Sequence, residues 1–208
     1  AGAAIHLMKR VPAAAGLGGG SADAAAMLLG LNKFWDLRLT MDELMTLGAK
    51  LGSDVPFLLR GGTARGTGRG EELIYHPSPE PHWLLLVKPE ISVSTAAAYG
   101  RYNGQSNATS DTITNVLHHL EQNDMYGAFT NSANTFEELL FPDHDELITC
   151  KEFFTSCGYP TIMTGSGPTM VVLLEKPAQA LSLQEEIKKA GHNWLSLITK
   201  TCTQEEVQ

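Results

Sequence analysis

Pro12-Ala13-Ala14-Ala15-Gly16-Leu17-Gly18-Gly19-Gly20-Ser21 runs directly into Ala22-Asp23-Ala24-Ala25-Ala26-Met27-Leu28-Leu29, a glycine-rich loop followed by a segment whose composition favours helix. Four glycines within five residues lack the Cβ that would hold a ligand away from the backbone, and they take positive φ at no steric cost. A helix that starts here offers unsatisfied N–H groups and the positive end of its macrodipole. An anion placed at that start meets a donor array in a favourable field, and phosphate is the natural occupant. The plainer reading is a tight strand-to-helix turn with Ser21 as N-cap. The glycine density exceeds what such a turn requires.

Upstream of the loop, Ala3-Ala4-Ile5-His6-Leu7-Met8 reads as a strand. It ends at Lys9-Arg10, which offers positive charge to phosphates or is simply a solvated pair closing an edge strand. Downstream, a helix is expected over Ser21 to Trp35, followed by the capping box Thr40-Met41-Asp42-Glu43 and a second helix ending at Gly52. Gly52-Ser53-Asp54-Val55-Pro56-Phe57 then opens a short helix with Pro in its first turn. Its one carboxylate, Asp54, stands where the helix field favours negative charge. Such a group accepts a hydroxyl proton or orients an alcohol during phosphoryl transfer, where positioning and charge stabilisation carry most of the catalysis. Alone, Asp54 reads as an N-cap; the phosphate loop upstream makes it a candidate base.

Gly61 to Gly70 reads as strand and turn leading to Leu73-Ile74-Tyr75, and His76-Pro77-Ser78-Pro79-Glu80-Pro81 blocks both helix and sheet pairing. A domain boundary is expected there, dividing the chain into residues 1–80 and 81–208. The second part reads as a strand over Trp83 to Val87, helices over 95–102, 111–122, 132–140 and 144–156, and strands at Thr161 to Met163 and Thr169 to Leu174. A helix over 178–190 and a strand over 194–199 complete it, with Asn103 to Ser110 as a loop. That is the split βαβ, ferredoxin-like order of an α+β fold. Thr164-Gly165-Ser166-Gly167-Pro168-Thr169 is either a plain tight hairpin or, if its small residues pack on the phosphate loop, one wall of a cleft between the domains.

Of 208 residues, 43% are hydrophobic and 18% charged, which suits one large or two small folded domains. A formal charge of −8 argues against a nucleic-acid partner, since phosphate backbones are held mainly by surplus Lys and Arg. Cys150, Cys157 and Cys202 form no metal-ligand spacing and read as reduced thiols; no metal site of the protein's own is expected. No apolar run approaches the ~18 residues of a membrane helix. His118-His119 and the Met41/Met45 pair sit at spacings that packing explains.

The loop lacks the Gly-Lys-Ser/Thr ending of a P-loop NTPase. A dinucleotide fingerprint can be forced onto Gly16, Gly18 and Asp36, although Ser21 stands where the third glycine belongs and Pro12 with three alanines separates strand from glycines. A dinucleotide-dependent oxidoreductase therefore stays open as the alternative.

In this order, Lys9-Arg10-Val11-Pro12 with the Gly-Leu-Gly-Gly-Gly-Ser run, Gly52-Ser53-Asp54-Val55-Pro56-Phe57 and Thr164-Gly165-Ser166-Gly167-Pro168-Thr169 resemble the GHMP kinase superfamily over essentially the whole chain. The resemblance implies a two-domain α+β fold, with a ribosomal protein S5-like N-terminal domain, incomplete here, and a ferredoxin-like C-terminal domain. It implies transfer of the ATP γ-phosphate, with Mg²⁺ accompanying the ATP, to a hydroxyl of a small molecule. The acceptor implied first is a cytidyl diphosphate methylerythritol, in non-mevalonate isoprenoid (terpenoid) biosynthesis, with mevalonate- or homoserine-type acceptors as alternatives.

On the same basis Pro12, Ala13, Ala14, Ala15, Gly16, Leu17, Gly18, Gly19, Gly20, Ser21 and Ala22 wrap the ATP phosphates, Lys9 lies near the nucleotide and Asp54 is the catalytic base. Ser94, Thr95, Gly165, Ser166 and Gly167 touch the substrate or shape the cleft. The expected compartment is the cytoplasm, or the plastid stroma in a plant, and the expected assembly a monomer or homodimer without membrane partners. Two departures stand out: Ser21-Ala22 replaces a Ser-Ser pair, and the family's opening Pro-Ala-Lys-Ile-Asn and Tyr-His motifs are absent. An N-terminal segment is therefore expected to precede this chain, which alone has little kinase activity; an inactive nucleotide-binding remnant is the non-enzyme alternative.

Overall fold

The computed structural model describes residues 2–104, 106 and 109–203; of the expected loop at 103–110, positions 105, 107 and 108 lie outside the described residues. The first helix, α1 (Gly19–Phe34), starts inside the glycine run, because Gly18 at φ 62° and ψ 17° supplies a left-handed N-cap that needs no side chain. Ser21 consequently sits in the first turn and does not cap it. The second helix, α2 (Met41–Leu51), opens on the expected capping box: the Thr40 hydroxyl accepts from the Glu43 N–H at 3.3 Å, and the Glu43 carboxylate accepts from the Thr40 N–H at 2.8 Å. The Thr40 N–H and the Thr40 hydroxyl, which donates to the same carboxylate at 2.9 Å, hold the Glu43 carboxyl below the usual carboxylate range.

Helix α3 (Val55–Arg60) follows, with Pro56 in its first turn. It packs tightly on α2 because a Cβ at Gly48 would lie 2.9 Å from Val55 Cγ1. Ala25, Leu44, Val55 and Leu59 are the buried centre of these three helices. Strands β1 (Thr63–Thr67) and β2 (Glu72–His76) then form an antiparallel hairpin with Thr63 opposite His76.

After the proline-rich connection, β3 (Trp83–Lys88) is the inner strand of a second sheet. It pairs antiparallel with β5 (Met170–Leu174) on one edge and with β6 (Leu195–Lys200) on the other. Beyond β5 lies β4 (Thr161–Met163), so the order is β4-β5-β3-β6, the ferredoxin-like arrangement expected. Helices α4 (Thr95–Arg101), α5 (Ser110–Glu121), α6 (Met125–Thr130), α7 (Thr135–Leu140) and α8 (Asp145–Thr155) fall between β3 and β4, and α9 (Pro177–Lys189) joins β5 to β6. Alternation along β3 sends Leu85 and Val87 into the main core with Leu147, Cys150, Phe154, Met170, Val172 and Leu183. Leu84 faces a smaller cluster with Met125 and Leu173 on the other side of the sheet.

Three expectations fail. Residues 3–8 form no strand, since no neighbouring strand supplies ladder hydrogen bonds, and Ile5, Leu7 and Met8 are exposed. The single helix expected over 132–140 is shorter, and a separate α6 precedes it. Asp124 nucleates α6 by accepting from the Gly127 N–H at 2.8 Å, and Gly127 leaves room for the His119 ring, which would lie 2.2 Å from a Cβ there. The dinucleotide alternative also falls. Every strand pairing among the described residues is antiparallel, and none of them forms a strand ahead of the glycine loop, so the βαβ unit that fingerprint requires does not form. Among the described residues no helix is long and apolar enough to cross a membrane.

Candidate active site

Residues 12–18 fold as a chain of turns in which Ala14 (φ 49°), Gly16 (φ 70°) and Gly18 (φ 62°) all occupy the left-handed region. Glycine takes that conformation freely, whereas at Ala14 it costs about 1–2 kcal/mol, strain of the kind that gathers at ligand sites. Gly16 has a second constraint. A Cβ there would lie 2.3 Å from the Thr164 carbonyl oxygen and 2.9 Å from the Gly167 nitrogen, and a Cβ at Gly165 would lie 2.9 Å from the Gly16 oxygen. Two glycine backbones thus cross in direct contact, and the Thr164 hydroxyl donates to the Gly16 carbonyl at 3.2 Å. The 164–169 turn does pack on the glycine loop, from the other half of the chain.

That crossing closes one end of a cavity of about 560 Å³ lined by Lys9, all of Pro12 to Ser21, Asp54, Thr95, Tyr99, Gly165 and Ser166. The first turn of α1 carries no side-chain cap, so its amide donors at the loop end are not spent on the chain's own side chains. Lys9 is held beside that turn by an ion pair with Asp23 of α1. Asp54 occupies the N-cap position of α3, yet its carboxylate makes no capping hydrogen bond, which removes the purely structural explanation for it. The same residue borders a second cavity of about 310 Å³, walled by Leu17, Phe57, Leu58, Ala64 and Leu73.

Not every residue expected at the site reaches it. The Ala22 N–H is spent inside the helix on the Gly18 carbonyl at 2.9 Å, and Ala22 does not line the cavity. Gly167 shapes the turn instead of facing the cavity: its N–H donates to the Thr164 carbonyl at 2.9 Å, and its missing Cβ makes room for the Met163 sulfur. Ser94 caps α4 by accepting from the Ala97 N–H at 3.3 Å. Thr95, next to it, does reach the cavity and shares a 2.9 Å hydrogen bond with Ser166 within the same wall.

Two residues escaped sequence reading. Tyr99, on α4, presents a largely exposed ring to the cavity, its edge packed on Phe136 with centroids 4.8 Å apart. Asn134 holds the 164–169 turn from behind, through Nδ2 to the carbonyls of Met163 at 2.6 Å and Gly165 at 2.9 Å. The spacing Asn134-Thr135-Phe136-Glu137 is itself a helix-start signal, hidden by a helix drawn through it from 132. Among the described residues no cluster of three or more His, Cys, Asp or Glu side chains is arranged to hold a metal ion.

The cavity lies between the glycine loop with Asp54 on one side and the 164–169 turn with α4 on the other, and family comparison gives the chain a class. Residues 1–62 match the GHMP kinases N terminal domain and residues 116–193 match the GHMP kinases C terminal domain; the chain belongs to the GHMP kinase family. Among individual relatives, it is 42% identical over 188 residues to the 4-diphosphocytidyl-2-C-methyl-D-erythritol kinase of Exiguobacterium sibiricum, covering 90% of this chain and 65% of that protein. It is 39% identical over 197 residues to the same-named kinase of Enterococcus faecalis, covering 90% of this chain and 66% of that one. The chain thus spans about 65% of the length of these curated relatives.

Among solved structures, a crystal structure of 4-(cytidine 5'-diphospho)-2C-methyl-D-erythritol kinase superposes with a TM-score of 0.75 at 28% identity, covering 93% of this chain and 69% of that one. Homoserine kinase from Cytophaga hutchinsonii superposes with a TM-score of 0.72 at 19% identity, covering 94% and 68%, a likeness of fold alone.

Proposed function

We propose that this chain carries the nucleotide cleft of an ATP-dependent small-molecule kinase whose acceptor is the 2-hydroxyl of 4-diphosphocytidyl-2-C-methyl-D-erythritol, in non-mevalonate isoprenoid biosynthesis. The observation that carries the reading is that Asp54 and the glycine-lined start of α1 open on one cavity closed by the opposite half of the molecule. The relatives named above support the choice of acceptor.

In this reading the donor phosphates sit on the amides of Gly18 to Ser21, with the Lys9 ammonium offsetting their charge. The Asp54 carboxylate takes the acceptor's hydroxyl proton as the new O–P bond forms and the bond from the γ-phosphorus to the bridging oxygen of ADP breaks. Tyr99 offers a ring on which a flat base of either ligand stacks. Mg²⁺ enters with ATP. The Ser21 hydroxyl, with one oxygen of Asp54 as the carboxylate lining the cavity, would hold it there, and its charge would offset that of the phosphates. The two halves divide at residues 80 and 81, within the proline-rich connection.

The loop assignment is tested at Gly20. A Cβ at Gly20 would meet nothing within 4 Å, and its φ is not positive, whereas Gly18 at φ 62° would also strain the backbone. Gly20→Val therefore fills ligand space without disturbing the fold. Calorimetric titration with ATP is expected to show a loss of tenfold or more in affinity, about 1.4 kcal/mol, with an unchanged melting temperature. Normal ATP binding by this variant would remove the loop from the site. Parallel ADP-release assays with the cytidyl substrate, mevalonate and homoserine test the acceptor.

A further inference from the structure

The crossing of Gly16 and Gly165 brings together residues 148 and 149 positions apart, and neither glycine has a side chain with which to hold it. Besides the Thr95–Ser166 and Thr164–Gly16 hydrogen bonds, the 164–169 turn is held from behind, by the first turn of α7. There the Asn134 amide nitrogen donates both its hydrogens, to the carbonyls of Met163 and Gly165, while its oxygen accepts from the Phe136 N–H at 2.9 Å. The orientation of that amide is set by chemistry, because two carbonyl oxygens must face a donor and an N–H must face an acceptor. One turn on, Glu137 accepts from the Met163 N–H at 2.7 Å and is itself ion-paired to Lys151 of α8. Met163 is thus held at both its N–H and its carbonyl, and Gly165 at its carbonyl, by a half-buried pair of side chains spaced i, i+3 on one helix face.

From these contacts we infer that Asn134, supported by Glu137, is a positioning residue for the nucleotide cleft. It clamps the 163–165 backbone so that Thr164 and Gly165 press on Gly16 and set where the phosphate loop stands. Asn134 does not line the cavity, so it acts only through that backbone. The inference rests on the kinase reading for its bearing on nucleotide affinity; the clamp itself rests on the hydrogen bonds alone. An ordinary N-cap needs only the acceptor oxygen. The two donated bonds are additional, and a substitution that keeps the cap while removing the donors separates the two roles.

Asn134→Asp is that substitution. One carboxylate oxygen still accepts from the Phe136 N–H, and the other, without hydrogens, faces two carbonyls. In the 208-residue chain without nucleotide, hydrogen exchange is expected to accelerate about tenfold at the amides of 13–19 and 164–167, with β3 and α9 unchanged. A non-hydrolysable ATP analogue should bind about tenfold more weakly. Thr164→Val, which removes the hydroxyl reaching Gly16, should show the same exchange signature. The double variant should lose less than the sum of the two, because both act on one contact.

Unchanged exchange at 13–19 in Asn134→Asp, or full additivity with Thr164→Val, would overturn the inference. If Asn134→Asp does not fold, Thr164→Val alone decides, and exchange at 13–19 equal to that of the parent chain overturns it. If the parent chain binds no nucleotide while exchange responds as expected, the clamp stands and the kinase reading falls.

Discussion

The two halves of this chain are cored to different depths, and the residues proposed for the chemistry sit on the thinner one. Residues 83–200 wrap a four-stranded sheet around a continuous core in which Leu85, Val87, Leu147, Phe154, Met170 and Val172 are fully or almost fully buried. Residues 19–60 centre on Ala25, Leu44, Val55 and Leu59, and leave Phe34, Leu51 and, on the adjoining hairpin, Ile74 mostly exposed. The phosphate loop and Asp54 both belong to that thinly cored half, while the turn that braces the loop belongs to the other. In the proposed reading, precision at this site is borrowed across the cleft: a loop that exposes its amides to a ligand cannot also spend them on holding itself in place.

The comparison breaks first, if it breaks, on core deletions. Phe154→Ala should cost about 3–5 kcal/mol, because its fully buried ring sits in the main core against Phe153 and Trp194, and its loss leaves a large void there. Leu59→Ala should fall near the lower end, about 2–3 kcal/mol, since its neighbours Leu58 and Met45 are only partly buried and have room to move. Equal losses in denaturant titrations would mean that the two cores are equally rigid. Next in size is the proposed chemistry: in a version that also carries the expected N-terminal segment, Asp54→Asn should lower turnover by about 10²-fold, near 2.7 kcal/mol, while leaving ATP affinity unchanged. Unaltered turnover in an ADP-release assay would remove Asp54 from the mechanism and leave its half with binding alone.

The smallest effect sharpens the comparison at the edge of the weaker half. Thr40→Ala should cost about 1 kcal/mol by thermal melting, because a half with few buried side chains leans more on its caps. Glu43 gives that cost a pH signature. Its folded pKa is depressed by the hydrogen bonds from Thr40, so its contribution is present above the ordinary value of 4.5 and is lost as pH falls through the lowered folded value. The gap between the parent chain and Thr40→Ala should therefore narrow progressively below pH 4.5; a constant gap would show that the carboxylate takes no part in the cap.

Local chemistry was readable before any coordinates. The capping box at Thr40 and Glu43, Pro56 in the first turn of α3, the proline-rich connection and the ferredoxin-like strand order each follow from neighbouring residues in the chain. The glycine loop running into a helix was readable, though not where that helix would begin, because a left-handed glycine cap leaves no side-chain signature. Residues 3–8 misled for the complementary reason: an apolar run specifies extended backbone, but a strand exists only where a partner supplies the ladder.

Sequence by itself determined the kinds of groups present: a glycine-rich loop at a helix start, a carboxylate at the next short helix, and a small-residue turn in the second half. Tertiary structure alone decided that the loop and the turn touch, that Asp54 is left uncapped beside them, that Tyr99 joins them, and that Asn134 holds the contact from behind. The physical reason is range. Propensity, capping and turn chemistry act over a few residues, whereas the Gly16–Gly165 crossing joins backbones almost 150 positions apart, and glycine, having no side chain, carries no mark of the neighbour it was kept small for.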